Sequence, residues 1–234
     1  MQLSIIIPTL NEAERLPAWL PHLMPLHTQG AEIIVVDGGS HDASSAIVRQ
    51  WGATLLITPP GRGVQMNAGA RLAQGELLLF LHADTCLPAH WQVADTLARM
   101  KSGQQVWGRF AVTIQGGPRM LRLVAWMMNL RSCLTGVATG DQAIFVQRKA
   151  FLHVGGYPEQ PLMEDIALSK RLRALSSPLC LRERVTTSGR RWEKFGVWHT
   201  IGLMWRLRWA YWRGVPATVL AERYPVQNDR ADAP

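Results

Sequence analysis

Short apolar runs alternate with helical patterns through the first hundred residues of the chain. Each run is followed by a proline or a polar residue, which predicts buried strands at residues 3–7, 31–36, 53–58 and 77–81. The segments between them have the caps and apolar spacing of helices, which we place at residues 11–22, 43–51 and 65–72. This order of elements predicts an α/β fold with a mostly parallel central sheet flanked by helices.

The pattern is less regular after residue 100. Alternating or apolar runs predict strands at residues 106–114, 143–146 and 185–188, the first of them antiparallel. Helical spacing predicts helices at residues 119–134, 149–154, 163–175 and 195–213. We expect one domain at residues 1–190, a helical C-terminal extension at 191–226 and a polar, disordered tail at 227–234.

Composition and charge narrow the classes of function. With 47% hydrophobic and 18% charged residues in 234, the chain has the composition of a soluble globular protein. The net charge of +8 and the pI near 10.1 indicate an anionic partner, such as nucleotide phosphates or acidic lipid. We do not expect nucleic acid as the partner, because no helix-turn-helix, RNP or zinc-finger pattern is present.

Cysteine usage and the lack of long apolar segments predict a cytoplasmic location. Cys86, Cys133 and Cys180 are odd in number and lack metal-ligand spacing, so we expect reduced thiols and no disulfide. The N-terminus has no basic segment before the first strand, and no stretch reaches the roughly 18 apolar residues of a membrane span. Peripheral contact with the inner face of the cell membrane stays an open alternative.

Two of the predicted strands end in a carboxylate. Asp37 follows the second strand, and Asp84 follows the fourth strand after His82 and Ala83. Open α/β sheets bind ligands at this end of their strands. Asp37 can accept from a base or a ribose, or it only caps the next helix. Asp84 can bind Mg²⁺ or Mn²⁺ together with substrate phosphates, or it is an ordinary cap. Two such strand ends together favour a site.

A glycine-rich segment at residues 61–70 carries Arg62, Gln65 and Asn67. Amides at the N-terminus of the predicted helix, together with Arg62, suit an anion such as a diphosphate. The segment is neither a Walker motif nor a dinucleotide-binding pattern. As a plain glycine-rich loop it would carry no function.

Two acidic motifs in the second half admit both a catalytic and a structural interpretation. Glu164 and Asp165 begin a predicted helix, where they either complement the helix dipole or supply a general base, and the base is favoured. Gly140-Asp141-Gln142 either binds acceptor hydroxyls or forms a turn. For Gly140-Asp141-Gln142 the residues alone do not decide between the two interpretations.

The predicted helix at residues 195–213 is rich in tryptophan and arginine. Its tryptophans fall near one face, at Trp198, Trp205, Trp209 and Trp212. This composition suits a membrane interface with anionic lipid. The same composition is at least as consistent with a helix that packs on the core and exposes its arginines to solvent.

Together these motifs resemble the family 2 glycosyltransferases, which have the GT-A fold. The matching segments are residues 5–12, 35–42, 61–69, 81–85 and 163–165. Residues 140–145 and 188–193 are further similar to a small bacterial subgroup, the radical-SAM/selenodomain-associated transferases. The resemblance implies a Rossmann-like nucleotide-diphospho-sugar transferase whose substrates are poorly defined.

The resemblance implies that Asp165 is the catalytic base with Glu164 beside it, that Asp84 is the metal ligand and that Asp37 contacts the nucleotide base. The donor-binding set is Pro8, Asn11, Glu12, Asp37, Arg62, Gln65, Asn67, His82, Ala83 and Asp84. The acceptor-binding set is Gly140, Asp141, Gln142, Arg190, Arg191 and Trp192.

Two positions depart from the family pattern. His82 stands where the Asp-x-Asp motif has its first acid, and the sequence leaves open whether His82 or His199 contributes to a metal site. Ser188 stands where processive members have the glutamine of Gln-x-x-Arg-Trp. Processive polymer synthesis is therefore not expected.

The sequence thus predicts an inverting glycosyltransferase assisted by Mg²⁺ or Mn²⁺. Its donor would be a nucleotide diphosphate sugar, with UDP the commonest carrier in the family, and a membrane lipid is one candidate acceptor. A nucleotidyltransferase is the main rival, but it would need a basic loop after the first strand, which residues 8–12 lack. The rival from another class is a catalytically silent scaffold that binds nucleotide sugar or a membrane surface.

Overall fold

A computed structural model describes residues 2–224 of the chain. Its strands are β1 (Leu3–Thr9), β2 (Glu32–Asp37), β3 (Thr54–Ile57), β4 (Leu77–Phe80), β5 (Thr85–Cys86), β6 (Trp107–Gln115), β7 (Ile144–Gln147) and β8 (Leu179–Ser188). Its α-helices are α1 (Leu16–Trp19), α2 (Met24–Thr28), α3 (Ser44–Trp51), α4 (Arg62–Leu72), α5 (Val93–Ser102), α6 (Leu121–Thr135), α7 (Arg148–His153), α8 (Glu164–Arg173), α9 (Arg190–Phe195), α10 (Val197–Trp212) and α11 (Ala217–Glu222). Two short 3₁₀ turns span Leu20–Leu23 and Gly140–Gln142.

The strands of the described chain form one mixed sheet in the order β3-β2-β1-β4-β7-β6-β8-β5. The first four strands in that order are mutually parallel, with Thr9 of β1 opposite Asp37 of β2. β7 is antiparallel to both of its neighbours, and β6 runs parallel to β8. The carboxyl ends of β1, β2 and β4 therefore meet at one edge, where the polar motifs begin.

The strands alternate their side chains between two cores. Ile5 and Ile7 of β1 belong to the larger cluster, which is covered by α1, α3, α5 and α6. Ile6 points to the other face, where α4 and α8 pack through Met66 and Leu168. This period of two is the expected consequence of a sheet buried on both faces. A third cluster joins α10 and α11 to the start of α8.

Three predicted elements differ from the structure for local reasons. The helix predicted at residues 11–22 is instead a series of short helices from residue 16 to 28, because Pro17, Pro21 and Pro25 interrupt continuous helical hydrogen bonding. The helix predicted at 195–213 is divided at Gly196, whose φ of 78° ends α9 before α10. β8 begins six residues earlier than predicted because it pairs with β6 from Leu179 onward.

The cysteine prediction was wrong for one pair. Cys133 of α6 and Cys180 of β8 form a disulfide with their Cα atoms 6.0 Å apart, while Cys86 is free. The two are 47 residues apart in sequence, and only the packing of α6 on β6, the neighbour of β8, brings them together. Spacing along the chain carries no information about such a contact.

The C-terminal region described in the structure is helical from Arg190 to Glu222, as the extension was predicted to be. Its boundary at residue 190 stays a prediction, and the tail predicted at residues 227–234 lies outside the described residues. Within residues 2–224, no helix is both long enough and apolar enough to cross a bilayer.

Close packing of α4 on the sheet places the N-terminus of that helix at the carboxyl edge of β1 and β2. A Cβ atom on Gly69 would lie 2.5 Å from Ile6 Cγ2 and 3.0 Å from Val36 Cγ2. Only a glycine allows this approach without displacing the strands. The start of α4, with Arg62, is thereby fixed beside the strand ends.

We expect Gly69→Ala to lower the free energy of unfolding by about 1–3 kcal/mol, because the added methyl group overpacks the interface with β1. Gly202→Ala is the matched control, since a Cβ there meets no atom within 4 Å on α10. It should raise the free energy of unfolding by about 0.5–1 kcal/mol through its helix propensity. Urea titration measures both. Equal effects of the two substitutions would contradict the tight contact of α4.

Candidate active site

The loops that follow β1 and β2 are fastened to each other. The hydroxyl of Ser40 accepts from the backbone N–H of Asn11 at 2.8 Å, and the amide oxygen of Asn11 accepts from the backbone N–H of His41 at 3.0 Å. The backbone N–H of Glu12 donates to Ser44 Oγ at 2.8 Å. The predicted donor residues Asn11 and Glu12 thus lie in a loop positioned by the loop after β2.

Asp37 is buried at the end of β2, and both of its carboxylate oxygens have partners. Oδ1 accepts from the backbone N–H of Ser40 at 2.9 Å and from its hydroxyl at 2.6 Å, and Oδ2 accepts from the hydroxyl of Ser45. These bonds hold the turn of residues 38–40 at the edge of the sheet. Pro8, also predicted to bind the donor, lies opposite Val36 in the neighbouring strand β1.

The side-chain amides of Gln65 and Asn67 bind backbone groups. Gln65 Nε2 donates to the carbonyl oxygens of Thr9 at 2.9 Å and Val36 at 2.7 Å. Asn67 donates to the carbonyl of Tyr157 at 2.8 Å and accepts from its N–H at 2.9 Å. Both residues are buried, so the contacts that the structure gives them join α4 to β1, β2 and the segment before α8.

Arg62 at the start of α4 pairs with Glu164 at the start of α8. The distance from Arg62 Nε to Glu164 Oε1 is 3.0 Å, and the side chains are 44% and 4% exposed. Burial raises the pKa of Glu164, and the charge of Arg62 opposes that shift without cancelling it. Glu164 Oε2 is buried without a hydrogen-bond partner among the described residues. Arg62 thus neutralises one carboxylate and keeps part of its guanidinium accessible.

Asp165 contacts the loop that precedes β7. Its Oδ2 accepts from the backbone N–H of Gly140 at 2.9 Å. The neighbouring Asp141 has its Oδ1 3.8 Å from His82 Nδ1. A Cβ on Gly140 would lie 2.3 Å from His82 Cε1, so the imidazole ring covers this glycine closely. The predicted acceptor loop and the predicted base are therefore in one cluster with the end of β4.

Charges within this cluster shift its pKa values. Burial acts to lower the pKa of His82, but the nearby carboxylates of Asp141 and Asp84 outweigh it, and the pKa is raised. Burial acts to raise the pKa of Asp141, and the nearby His82, with Arg62 and Arg208, lowers it overall. Burial raises the pKa of Asp84, only partly offset by His82. Perturbed carboxylates gathered at a strand end are typical of a functional site.

Asp84 borders a cavity of about 270 Å³ whose lining also includes Ser188, Arg190 and Glu193. Ser188 Oγ accepts from Arg190 Nε at 3.0 Å. A residue predicted to bind the donor and one predicted to bind the acceptor therefore face the same space. Ser188 and Glu193 were not among the predicted contacts, because they become neighbours of Asp84 only through the pairing of β5 with β8.

Four other predicted residues have contacts of a structural kind. Gln142 is fully buried, donating to Ser132 Oγ at 2.9 Å. Trp192 packs against the larger core cluster, and Ala83 is a buried member of it. The Arg191 guanidinium carbon lies 4.0 Å from the centre of the Tyr224 ring, and its Nε and Nη2 are buried without partners in the described chain.

Among the described residues, no group of three or more histidine, cysteine or acidic side chains is arranged to hold a metal ion. His199 is exposed on α10, and His82 is engaged with Asp141. A magnesium or manganese ion that also binds substrate phosphates needs only one or two protein carboxylates. Asp84, at the border of an open cavity, fits that mode of binding.

Backbone strain marks three of the site loops. Asn11, Ala143 and Met163 are non-glycine residues with positive φ values of 54°, 45° and 65°. They lie in the loop after β1, directly after the 3₁₀ turn of residues 140–142, and directly before Glu164. Such conformations cost about 1–3 kcal/mol each and cluster at functional sites. The residue types at positions 143 and 163, alanine and methionine, gave no indication of these positive φ values.

Comparison with known proteins identifies the family. The model of "Glycosyl transferase family 2" matches residues 4–152, which include Asp37, Arg62 and Asp84. The chain belongs to this family. The matched segment ends before Glu164 and Asp165.

Two curated relatives are similar over different lengths. A "PGL/p-HBAD biosynthesis glycosyltransferase" of Mycobacterium bovis (strain BCG / Pasteur 1173P2) is 43% identical over 104 residues, 42% of this chain and 39% of the relative. An "Undecaprenyl-phosphate 4-deoxy-4-formamido-L-arabinose transferase" of Aeromonas hydrophila is 26% identical over 194 residues, 78% of this chain and 53% of the relative. The chain thus spans about two fifths of the first and about half of the second.

Two solved structures have the same fold. S. aureus TarS 1-349 in complex with UDP superposes with a TM-score of 0.63 and 19% identity, covering 80% of this chain and 60% of that one. The mannosyltransferase PcManGT from Pyrobaculum calidifontis, in complex with GDP-Man and Mn²⁺, has a TM-score of 0.59 and 19% identity, covering 79% and 56%. The predicted GT-A fold is confirmed by these structures.

We expect Arg62→Met to lower the free energy of unfolding by about 2 kcal/mol at pH 7, because Glu164 is left buried and unpaired. The loss should shrink toward pH 5. A carboxyl whose pKa is raised on folding destabilises the protein as the pH rises through that pKa, and removal of Arg62 raises it further. Chemical denaturation at several pH values measures the effect.

Two variants test whether the Arg62 pair is the cause. Arg62→Met combined with Glu164→Gln should regain most of the stability at pH 7, since no unpaired charge remains. Arg99→Met breaks the exposed pair of Arg99 with Glu183, whose atoms are 3.1 Å apart, and should cost at most about 0.5 kcal/mol. A loss for Arg62→Met that is equal at pH 5 and pH 7 would contradict the assignment.

Proposed function

We propose that this protein is an inverting glycosyltransferase that moves a sugar from a nucleotide diphosphate donor, a UDP-sugar in the first instance, to an acceptor hydroxyl. The observation that carries the proposal is that Asp165 and Asp84 belong to one cluster. Asp165 accepts from the backbone N–H of Gly140, and Asp141, the residue after Gly140, lies 3.8 Å from His82. Asp84 is two residues after His82 in the sequence. Membership of glycosyl transferase family 2 and the UDP bound to TarS support the choice of donor.

Asp165 is the better candidate of the two adjacent acids for the general base. Glu164 is 3% exposed and paired with Arg62, whereas Asp165 is less deeply buried and faces the predicted acceptor loop at Gly140. Asp165 would take the proton of the acceptor hydroxyl while the hydroxyl oxygen forms a bond to the anomeric carbon of the donor sugar. The bond from that carbon to the diphosphate breaks on the opposite face. General-base assistance of this kind typically raises the reaction rate by about 10²–10⁴-fold.

Positive charge at the departing diphosphate would come from two sources. Arg62 presents the part of its guanidinium that Glu164 does not engage. Asp84 would hold Mg²⁺ or Mn²⁺ together with the donor phosphates, and the ion, when bound, supplies charge that stabilises the leaving group. The Mn²⁺ in the PcManGT complex supports the use of a divalent ion.

The acceptor is proposed to be a membrane lipid that the protein reaches from the membrane surface. The relative named as an undecaprenyl-phosphate transferase supports a lipid-linked substrate. The four tryptophans of α10 are 60–74% exposed, so these side chains do not pack in the core. Arg190, which lines the cavity beside Asp84, would contact the acceptor. A relation to the radical-SAM/selenodomain-associated subgroup stays a prediction.

We expect wild-type protein to release free nucleotide diphosphate from one member of a panel of nucleotide sugars, and Asp165→Asn to lower the rate by about 10²–10⁴-fold. Asp95→Asn, on the exposed side of α5, is the matched control and should keep the wild-type rate. Nucleotide release is measured by coupled assay. Absence of both turnover and donor binding in the wild type would favour the silent scaffold.

Metal dependence can be assigned to Asp84 separately. After treatment with a chelator, wild-type activity should return on titration with Mn²⁺, and Asp84→Ala should need at least about tenfold more ion. Isothermal titration in the presence of nucleotide diphosphate measures the same affinity without turnover. The same Mn²⁺ dependence in both proteins would show that Asp84 does not hold the ion.

A further inference from the structure

Large apolar side chains are exposed in two stripes, one on α6 and one on α10. On α6 they are Leu123, Trp126, Met127, Leu130 and Leu134, and on α10 they are Trp198, Trp205, Trp209 and Trp212, all between 44% and 77% exposed. The spacing of each set places it along one face of its helix. Soluble monomers rarely expose contiguous apolar patches of this kind without a binding partner.

The two helices pack on the same core. Val124 of α6 and Ile201 of α10 both pack into the larger cluster. Arg131 of α6 donates to the carbonyl oxygen of Val137 at 3.1 Å, and Val137 packs against the cluster that contains Leu207 of α10. Both helices therefore border the same part of the molecule, and their apolar stripes are exposed.

The charge of these helices selects the partner. Neither α6 nor α10 contains an aspartate or a glutamate, whereas both carry arginines, including Arg122 and Arg206. With a net charge of +8 on the chain, contact between two copies through this face would bring like charges together. Tryptophan next to arginine is the composition that favours the interface of an anionic membrane.

A cavity of about 450 Å³ opens beside this surface, between α10 and α11. Its lining includes the apolar side chains of Leu203, Leu207 and Leu220, together with Arg206 and Arg223. Its volume is within the range of ligand pockets. The apolar surface therefore continues into a space that suits a single lipid chain with an anionic head.

We propose that α6 and α10 together form one surface that seats the protein on an anionic bilayer, with the α6 stripe as an equal part of it. The sequence indicated only α10, so the second helix is what the structure adds. The proposal rests on the proposed function in placing the acceptor at a membrane. The surface adjoins the proposed site because Leu207 of α10 packs with Met163, the residue before Glu164.

The test is co-sedimentation of the full chain with vesicles of phosphatidylcholine, with and without phosphatidylglycerol. Trp126→Ser combined with Leu130→Ser removes part of the α6 stripe, and Trp205→Ser combined with Trp209→Ser removes part of the α10 stripe. Each pair should bind anionic vesicles about tenfold more weakly than wild type. The matched control, Ile57→Ser combined with Leu72→Ser, changes side chains that are 57% and 45% exposed elsewhere and should bind as wild type does.

Thermal unfolding establishes that each variant is folded before its binding is compared. Wild-type binding that requires phosphatidylglycerol and is weakened by both stripe pairs supports the proposal. Unchanged binding of the α6 pair, or equal binding of wild type to neutral and anionic vesicles, overturns it. The proposal is also overturned if the wild type is a dimer that does not bind vesicles and if the two α6 substitutions dissociate that dimer, since a second copy then covers the surface.

Nucleotide release from a soluble donor separates this proposal from the proposed function. Vesicle binding by a protein that neither turns over nor binds any nucleotide sugar would refute the transferase and leave the bilayer surface standing. Turnover by a protein that binds no vesicle would refute the surface and leave the transferase standing. Quenching of tryptophan fluorescence by brominated lipid gives an independent readout, and loss of that quenching in the α10 pair is expected.

Discussion

Pairing of carboxylates at the carboxyl edge of the sheet is the constraint on which the site and much of the fold depend. Glu164 is buried, and a carboxylate buried without a partner costs several kcal/mol, so this acid must meet a cation or an N–H group. Glu164 meets Arg62, Asp141 meets His82, and Asp165 accepts from the N–H of the glycine before Asp141. Each contact joins segments that are distant in sequence. The groups available for chemistry therefore also hold α4, α8 and the end of β4 in register.

The C-terminal helices connect this edge to a surface of another character. Leu207 of α10 and Leu220 of α11 pack with Met163, the residue before the two adjacent acids. Arg208, one position further along α10, lowers the pKa of Asp141 together with His82 and Arg62. The same helix exposes tryptophans on its outer face. One helix thus has an inner face that packs beside the two adjacent acids and an outer face of exposed tryptophans, which is the face proposed to contact lipid.

Local patterns predicted the first half of the fold well and the second half less well. The strands from Leu3 to Phe80 are near the expected positions because runs of isoleucine, valine and leucine favour buried strands, and the polar residue after each run marks its end. The early start of β8 and the disulfide from Cys133 to Cys180 were missed, since both depend on β6 and α6 lying beside that strand. Pro17 and Pro21 were visible in the sequence, and their effect on the first helix was underestimated.

The sequence by itself determined the family, the parallel strands and the acidic residues at their ends, because these features are encoded in residue type and short-range spacing. Tertiary structure decided how the acids divide: Glu164 is buried against a cation, whereas Asp165 faces the loop at Gly140. It also directed the amides of Gln65 and Asn67 to backbone groups and left the apolar stripe of α6 uncovered. The physical reason is that burial and pairing depend on which distant surface covers a side chain, and periodicity along one element cannot specify that surface.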